Sequence, residues 1–319
     1  MSKRIPALTS KQVAAPFPKR PRDSHKGDFG TVAVIGGASG MVGAPLMAGR
    51  AALKLGAGCV HIGLLTEGAP VVDLMQPELM LHKAADAMRS LPLPNPLDKT
   101  TSHSTRLQTT AAKSLVIPRA GEGANVKSIS NSVLAIGCGL GRSLEAQKLL
   151  HDAVNSPAAL VLDADALNLL AQRPDLGTVV RSRKAATVLT PHPGEAARLL
   201  GIKTEEVQAD RIAAVRQLAQ KFGGSVVLKG ADSLVATSDG KLYVNKTGNP
   251  GMSSAGMGDV LTGMIAAFLA QGMSADDALL LAVHLHGAAG DELAKQQATI
   301  GMSATEVTEW ARWLLNQWL

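Results

Sequence analysis

Residues 159–168 read Ala159-Leu-Val-Leu-Asp-Ala-Asp-Ala-Leu-Asn168. Four apolar residues run without alternation and stop at an acid. Such a run reads as a strand buried on both faces. Asp163 then stands at the strand's carboxyl end, and Asp165 is placed to cap a helix. Asp163 would be costly to bury unpaired, so it reads as part of a polar network or of a Mg²⁺ site.

The same unit recurs on either side. Segments 31–35, 58–64, 132–136, 186–189 and 225–228 are short, apolar and bounded by Gly or Pro. Helical patterns lie between them at 44–55, 144–154, 195–200 and 205–222. This alternation predicts an α/β fold, a three-layer α/β/α sandwich with a mainly parallel central sheet and right-handed crossovers. Ser238-Asp239-Gly240, between 234–237 and 241–244, is a hairpin signal, so the sheet is expected to end in a short antiparallel edge. In 259–270, Val260, Leu261, Met264, Ile265, Phe268 and Leu269 form one helical apolar stripe that Gly272 terminates. A further helix spans about 275–295. In a last one, Trp310, Trp313, Leu314 and Trp318 share a face expected to be core or subunit contact. Residues 84–131, rich in Ser, Thr and Pro, read as a surface insertion with one short strand near 115–117.

The chain has 319 residues, 46% of them hydrophobic and 18% charged, which excludes wholesale disorder and a coiled coil. Aromatics are 3%, too few for base-stacking platforms, so no nucleic-acid partner is expected. No run reaches the ~20 apolar residues of a membrane span. The net charge of +6 resides in residues 1–26, which carry seven basic groups and one acid. The remainder is formally neutral. The domain reading is therefore a basic, Pro-containing arm, 1–23, taken as a solvated lead-in, followed by a single domain, 24–319. Cys59 and Cys138 have no metal-ligand spacing and suggest no disulfide framework, which fits a cytoplasmic location.

The strongest chemical signal is Thr247-Gly-Asn-Pro-Gly-Met-Ser-Ser-Ala-Gly-Met-Gly-Asp259, leading straight into a helix. Unobstructed amides at Gly256 and Gly258, just before a helix N-terminus, suit nucleotide phosphates. Asp259 is either an N-cap or a carboxylate placed to take a hydroxyl proton, and the excess of glycines favours the second. Lys229-Gly-Ala-Asp-Ser233 follows another strand, where open α/β sheets bind ligands. Thr190-Pro-His-Pro-Gly-Glu195 locks His192 between two prolines, at a strand end suited to holding substrate. Glycine clusters at 36–40 and 137–141 lack a dinucleotide fingerprint with its distal acid, which disfavours a Rossmann dehydrogenase.

Together these motifs resemble the ribokinase-like superfamily, and within it the ADP-dependent NAD(P)H-hydrate dehydratases. The likeness rests on Lys26-Gly-Asp-Phe-Gly30 with Gly36-Gly37, on 137–141, 162–168, 190–195 and 229–233, and on 249–263. It covers about residues 24–300. It implies a lyase of nicotinamide nucleotide repair that converts (6S)-NADHX and (6S)-NADPHX to NADH and NADPH, with ADP going to AMP and phosphate. By this resemblance Asp259 is the base on the substrate hydroxyl. Gly256, Gly258, Lys229, Gly230, Ala231, Asp232 and Ser233 hold the nucleotide. Ala44, Gly139, Gly141, His192 and Asp259 contact the hydrated cofactor, and Glu195 serves Mg²⁺, for which Asp163 is a second candidate from its place at the strand end. ADP is the expected phosphoryl donor, with ATP as a second candidate. The resemblance also implies a homotetramer.

Two features depart from the family pattern. Cys138 stands where Pro is usual, which is expected to loosen that loop. No epimerase domain precedes the arm, so a separate NAD(P)H-hydrate epimerase is the expected partner. The competing readings are a vitamin-precursor kinase of the same fold, which would release a phosphorylated product, and a non-catalytic nucleotide sensor, which would not need Asp259.

Overall fold

The computed structural model describes residues 5–92 and 131–319. Within these residues nine strands form one sheet: β1 (Thr31–Gly36), β2 (Cys59–Leu64), β3 (Met80–Lys83), β4 (Ser132–Ile136), β5 (Ala159–Leu162), β6 (Thr187–Leu189), β7 (Ser225–Leu228), β8 (Leu234–Ala236) and β9 (Leu242–Val244). Their order is β3-β2-β1-β4-β5-β6-β7-β8-β9. The first seven in that order are parallel, and β8 and β9 add the expected antiparallel edge.

Among the described residues twelve α-helices accompany the sheet: α1 (Ser10–Ala14), α2 (Gly43–Lys54), α3 (Ala84–Arg89), α4 (Leu144–Asn155), α5 (Ala164–Ala171), α6 (Pro174–Ser182), α7 (Pro193–Leu200), α8 (Thr204–Ala209), α9 (Arg211–Phe222), α10 (Met257–Ala270), α11 (Ala275–Gln296) and α12 (Ala304–Trp318). Successive strand residues point to opposite layers. Val32, Val34, Val133 and Val161 join a core with α2, α10 and α11. Ile35, Leu134, Leu160 and Leu162 join a second core with α4, α5, α7 and α9. This is the three-layer sandwich. α10 is buried nearly all round, as a central helix must be to carry so continuous an apolar sequence. It lies close to α2 because Gly263 has no side chain, and a Cβ there would meet the Ala48 carbonyl oxygen at 2.0 Å.

Register positions the functional edge. Ile35, Ile136, Leu162, Leu189 and Val226 form one row across five parallel strands. The loops leaving those strands therefore open at a common edge.

Several expectations need correction. The single helix over 205–222 is two helices, because Asp210 turns outward and its carboxylate accepts the Ala213 N–H to cap α9. The stretch from residue 84 does not begin as an insertion. β3 extends the sheet beside β2, and α3 buries Ala84 and Ala87 in the second core. The strand near 115–117 lies outside the described residues. The Trp face of α12 lies at the margin of the first core: Trp310, Leu314 and Trp318 are partly buried and packed against it, while Trp313 is 49% exposed.

The arm is not a solvated lead-in. Leu8, Val13 and Ala14 are buried, and Phe17 meets Phe268 edge-on with ring centres 5.8 Å apart. Ala7 pairs with Val244, and the Arg20 guanidinium donates to the Gly56 carbonyl and to Gln271 Oε1, both at 2.6 Å.

Candidate active site

At the centre of the functional edge is an ion pair between the buried Asp163 and the half-buried Lys229. Lys229, one residue beyond β7, donates from Nζ to Asp163 Oδ1 at 2.8 Å. Asp163, one residue beyond β5, also accepts from the hydroxyls of Thr190 (2.7 Å) and Thr262 (2.9 Å). Burial pushes the Asp163 carboxyl up, but the Lys229 ammonium and the two hydroxyls outweigh it and hold it below the usual range. Burial likewise lowers Lys229, and the charges of Asp163 and Glu195 more than offset it. Both groups are thus ionised. With three donors on its two oxygens, Asp163 serves as the counter-ion of Lys229.

α10 begins directly above this pair. Gly256 is its N-cap, at φ +90, and no side chain caps the helix. Asp259 lies in the first turn and is not the cap. A Cβ on Gly258 would sit 3.3 Å from Lys229 Nζ, so ammonium and unpaired helix amides converge on one space. That space opens into a cleft of about 510 Å³ that Lys229–Ser233 share with the loop 245–253 and Gly258. Asp259 is pushed up to about 6, chiefly by burial and secondarily by the charge of Asp163. The neighbouring Cys138 thiol and the charge of Lys229 oppose the rise.

The NAD(P)H-hydrate dehydratase family matches this chain over residues 32–312. The chain belongs to that family. Among the dehydratases and repair enzymes it is similar to is the ADP-dependent (S)-NAD(P)H-hydrate dehydratase of Neisseria meningitidis, 40% identical over 94% of this chain and 90% of the relative. The bifunctional NAD(P)H-hydrate repair enzyme Nnr of Coxiella burnetii is also 40% identical, over 97% of this chain. The chain spans 55% of that bifunctional relative. In structure it resembles the ADP/ATP-dependent NAD(P)H-hydrate dehydratase of Bacillus subtilis co-crystallised with ATP and Mg²⁺, with TM-score 0.77, 26% identity and full coverage of both chains. The ribokinase-like fold is the one expected from the motifs.

Within this dehydratase-family edge, the other expected residues occupy two places. Lys229, Gly230, Ala231, Asp232, Ser233 and Gly258 line the cleft beside α10. Gly139 and Ala44 adjoin each other, since a Cβ on Gly139 would lie 3.3 Å from Ala44 Cβ. The Gly141 amide is already engaged, donating to Asp165 Oδ2 at 2.9 Å. His192 begins α7 with a 51% exposed side chain, and its Nδ1 accepts the Gly194 N–H at 3.0 Å. The ring proton therefore belongs on Nε2, which lies 3.3 Å from Glu195 Oε1. Glu195 Oε2 accepts the His192 backbone N–H at 2.8 Å. Burial pushes Glu195 above the ordinary range. Its first role in the fold is the reciprocal cap of α7.

Two residues escaped the sequence reading, and a third entered it without a role. Asp291 on α11 accepts the Gly248 N–H at 2.9 Å and the Asn249 side-chain amide at 3.1 Å, pinning the loop over the cleft. His286 borders the cleft, and its Nε2 has no partner among the described residues. Burial, then Lys229, pushes its imidazole down to about 4. Cys138 is wholly buried, and its sulfur and the Asp163 and Asp259 carboxylates lie within 4.8 Å of one another. Asp291 and His286 sit on a helix distant in sequence from every glycine motif, so no local spacing points to them. Cys138 drew notice only as a departure from a family pattern.

Proposed function

We propose that this chain dehydrates (6S)-NADHX and (6S)-NADPHX to NADH and NADPH, with ADP converted to AMP and phosphate. The observation that carries this reading is one placement. A carboxylate with a raised pKa, Asp259, stands at the mouth of an amide-rich helix N-terminus, near the half-buried Lys229. Kinases and this dehydratase need the same first step. The ring hydroxyl oxygen bonds to the terminal phosphorus of ADP, AMP departs, and the hydroxyl proton goes to Asp259. The second step sets the dehydratase apart. The ring C–O bond breaks, phosphate leaves with the electron pair, and a proton lost from the adjacent carbon restores the double bond. Phosphorylation matters because phosphate, with a second pKa near ~6, leaves far more readily than hydroxide.

Lys229 and the amides of Gly256 and Gly258 would neutralise and orient the diphosphate. Ala44, Gly139, Gly141 and His192 would hold the hydrated nicotinamide. Mg²⁺ would spread the phosphate charge. With Asp163 committed to Lys229 and Glu195 to its cap, the ion fits here mainly on phosphate oxygens and water, with Glu195 reached through water.

This reading calls for an epimerase that supplies the reactive hydrate epimer. It also carries the expectations of a homotetramer, which light scattering would check, and of a cytoplasmic enzyme. Among the described residues no helix is long and apolar enough to cross a membrane.

The test is to mix the protein with hydrated NADH and Mg²⁺, adding ADP or ATP, and to follow the near-ultraviolet absorbance of reduced nicotinamide. A rise with ADP supports the reading. A rise with ATP alone keeps the reaction and replaces the donor. No rise with either in folded protein leaves the vitamin-precursor kinase or the sensor.

A further inference from the structure

The loop after β4 carries a thiol with no place in the mechanism so far. Cys138 is 0% exposed, yet its backbone is held from several sides. Its carbonyl accepts the Gly37 N–H at 3.3 Å, the Gly137 N–H donates to the Ile35 carbonyl at 3.2 Å, and the Leu140 N–H donates to the Gly137 carbonyl at 3.1 Å. Gly36 allows this approach, since a Cβ there would lie 1.9 Å from the Cys138 oxygen. Far from loosening the loop, Cys138 sits in a clamped turn, and its sulfur shares a pocket with the carboxylates of Asp259 and Asp163.

We propose that Cys138 is a positioning residue for Asp259: its buried S–H donates to the Asp259 carboxylate and fixes which oxygen faces the substrate hydroxyl. The inference rests on the base role given to Asp259 above.

The thiol is suited to this. Burial first, then the negative charges of Asp259 and Asp163, push its pKa well up, so it stays a neutral donor and not a thiolate. Asp163 cannot swing over to compete, because Lys229, Thr190 and Thr262 hold it. The charged groups facing the Asp259 carboxyl are thus Asp163 beyond β5 and Lys229 beyond β7, both fixed. Cys138 is the neutral donor among them. The same occupancy argues against a metal at this trio, since Lys229 already supplies its positive charge.

The experiment has a spectroscopic and a kinetic arm. A Cys59→Ser background leaves Cys138 as the single thiol, because the chain has two cysteines. The infrared S–H stretching band of Cys138 is expected at low frequency, shifting as Asp259 ionises through about pH 6. It should lose that shift in Asp259→Asn. In the kinetic arm, Cys138→Ala should lower kcat by roughly tenfold, about the value of one hydrogen bond to a charged group. The rising limb of its pH profile should move upward, with KM for ADP unchanged. Cys138→Ser, which keeps a donor, should restore most of the rate. An S–H band that ignores pH and is the same in Asp259→Asn would overturn the proposal, as would a Cys138→Ala enzyme with wild-type kcat and pH profile. A titrating band in a protein without turnover would uphold the pairing and overturn only the dehydratase reading, so the two failures are separable. If Cys138→Ala does not fold, the band and Cys138→Ser still decide.

Discussion

A carboxylate that must take a proton from an alcohol works best with its pKa near the working pH. Burial at the head of α10 brings Asp259 to about 6. It must be ionised to act, so kcat/KM should rise with pH through about 6 and level above it. Asp259→Asn should lower turnover by about 10²–10⁴-fold while ADP affinity changes little, which calorimetric titration beside the rate assay would check. The same substitution should not cost stability. A folded-state pKa above the unfolded value means that the native protein holds its proton more tightly, so keeping Asp259 ionised opposes folding at neutral pH. The rise from 3.8 to about 6 corresponds to at most ~3 kcal/mol. Asp259→Asn should therefore melt at or above the wild-type temperature at pH 8, and a clear drop in Tm would contradict this account of the site. At this scale the sequence was readable where chemistry is written locally. Asp259, Lys229 and His192 each follow a strand or open a helix beside glycine or proline. The partnership of Asp163 with Lys229, across 66 residues, leaves no local trace.

Among the elements, the cleft depends on a contact between a loop and a helix. Asp291 on α11 holds the turn at Gly248 and Asn249 with two charge-assisted bonds. Asp291→Ala should raise KM for the nucleotide by roughly tenfold and leave kcat within a few-fold, since it touches no reacting group. A fall in kcat at unchanged KM, measured in steady state, would count against that assignment. The buried parallel strands were legible because strands covered on both faces read as unbroken apolar runs. β3, with the partly exposed Met80–Lys83, does not read that way and was missed. So was the break at Asp210, because helical periodicity runs through α8 and α9 alike and only the cap at Ala213 separates them.

At the scale of the whole molecule, the sheet order brings five strand ends to one edge, and the arm ties down the opposite layer. Basic charge and four prolines made the arm read as solvated, because its few apolar residues gain their meaning only against α10 and α11. Phe17 against Phe268 is the clearest of these contacts. Phe17→Ala should cost ~1–3 kcal/mol, less than a fully buried Phe, with kcat and KM unaffected, and denaturant unfolding would measure it. The central claim concerns what leaves this edge as product, since a kinase and a dehydratase share the first chemical step. The most direct test is the product balance from hydrated NADH and ADP, followed by phosphorus NMR together with nicotinamide absorbance. AMP, inorganic phosphate and NADH should appear in equal amounts with no lasting phosphorylated intermediate. A stable phosphorylated product, or AMP and phosphate formed without NADH, would contradict the account.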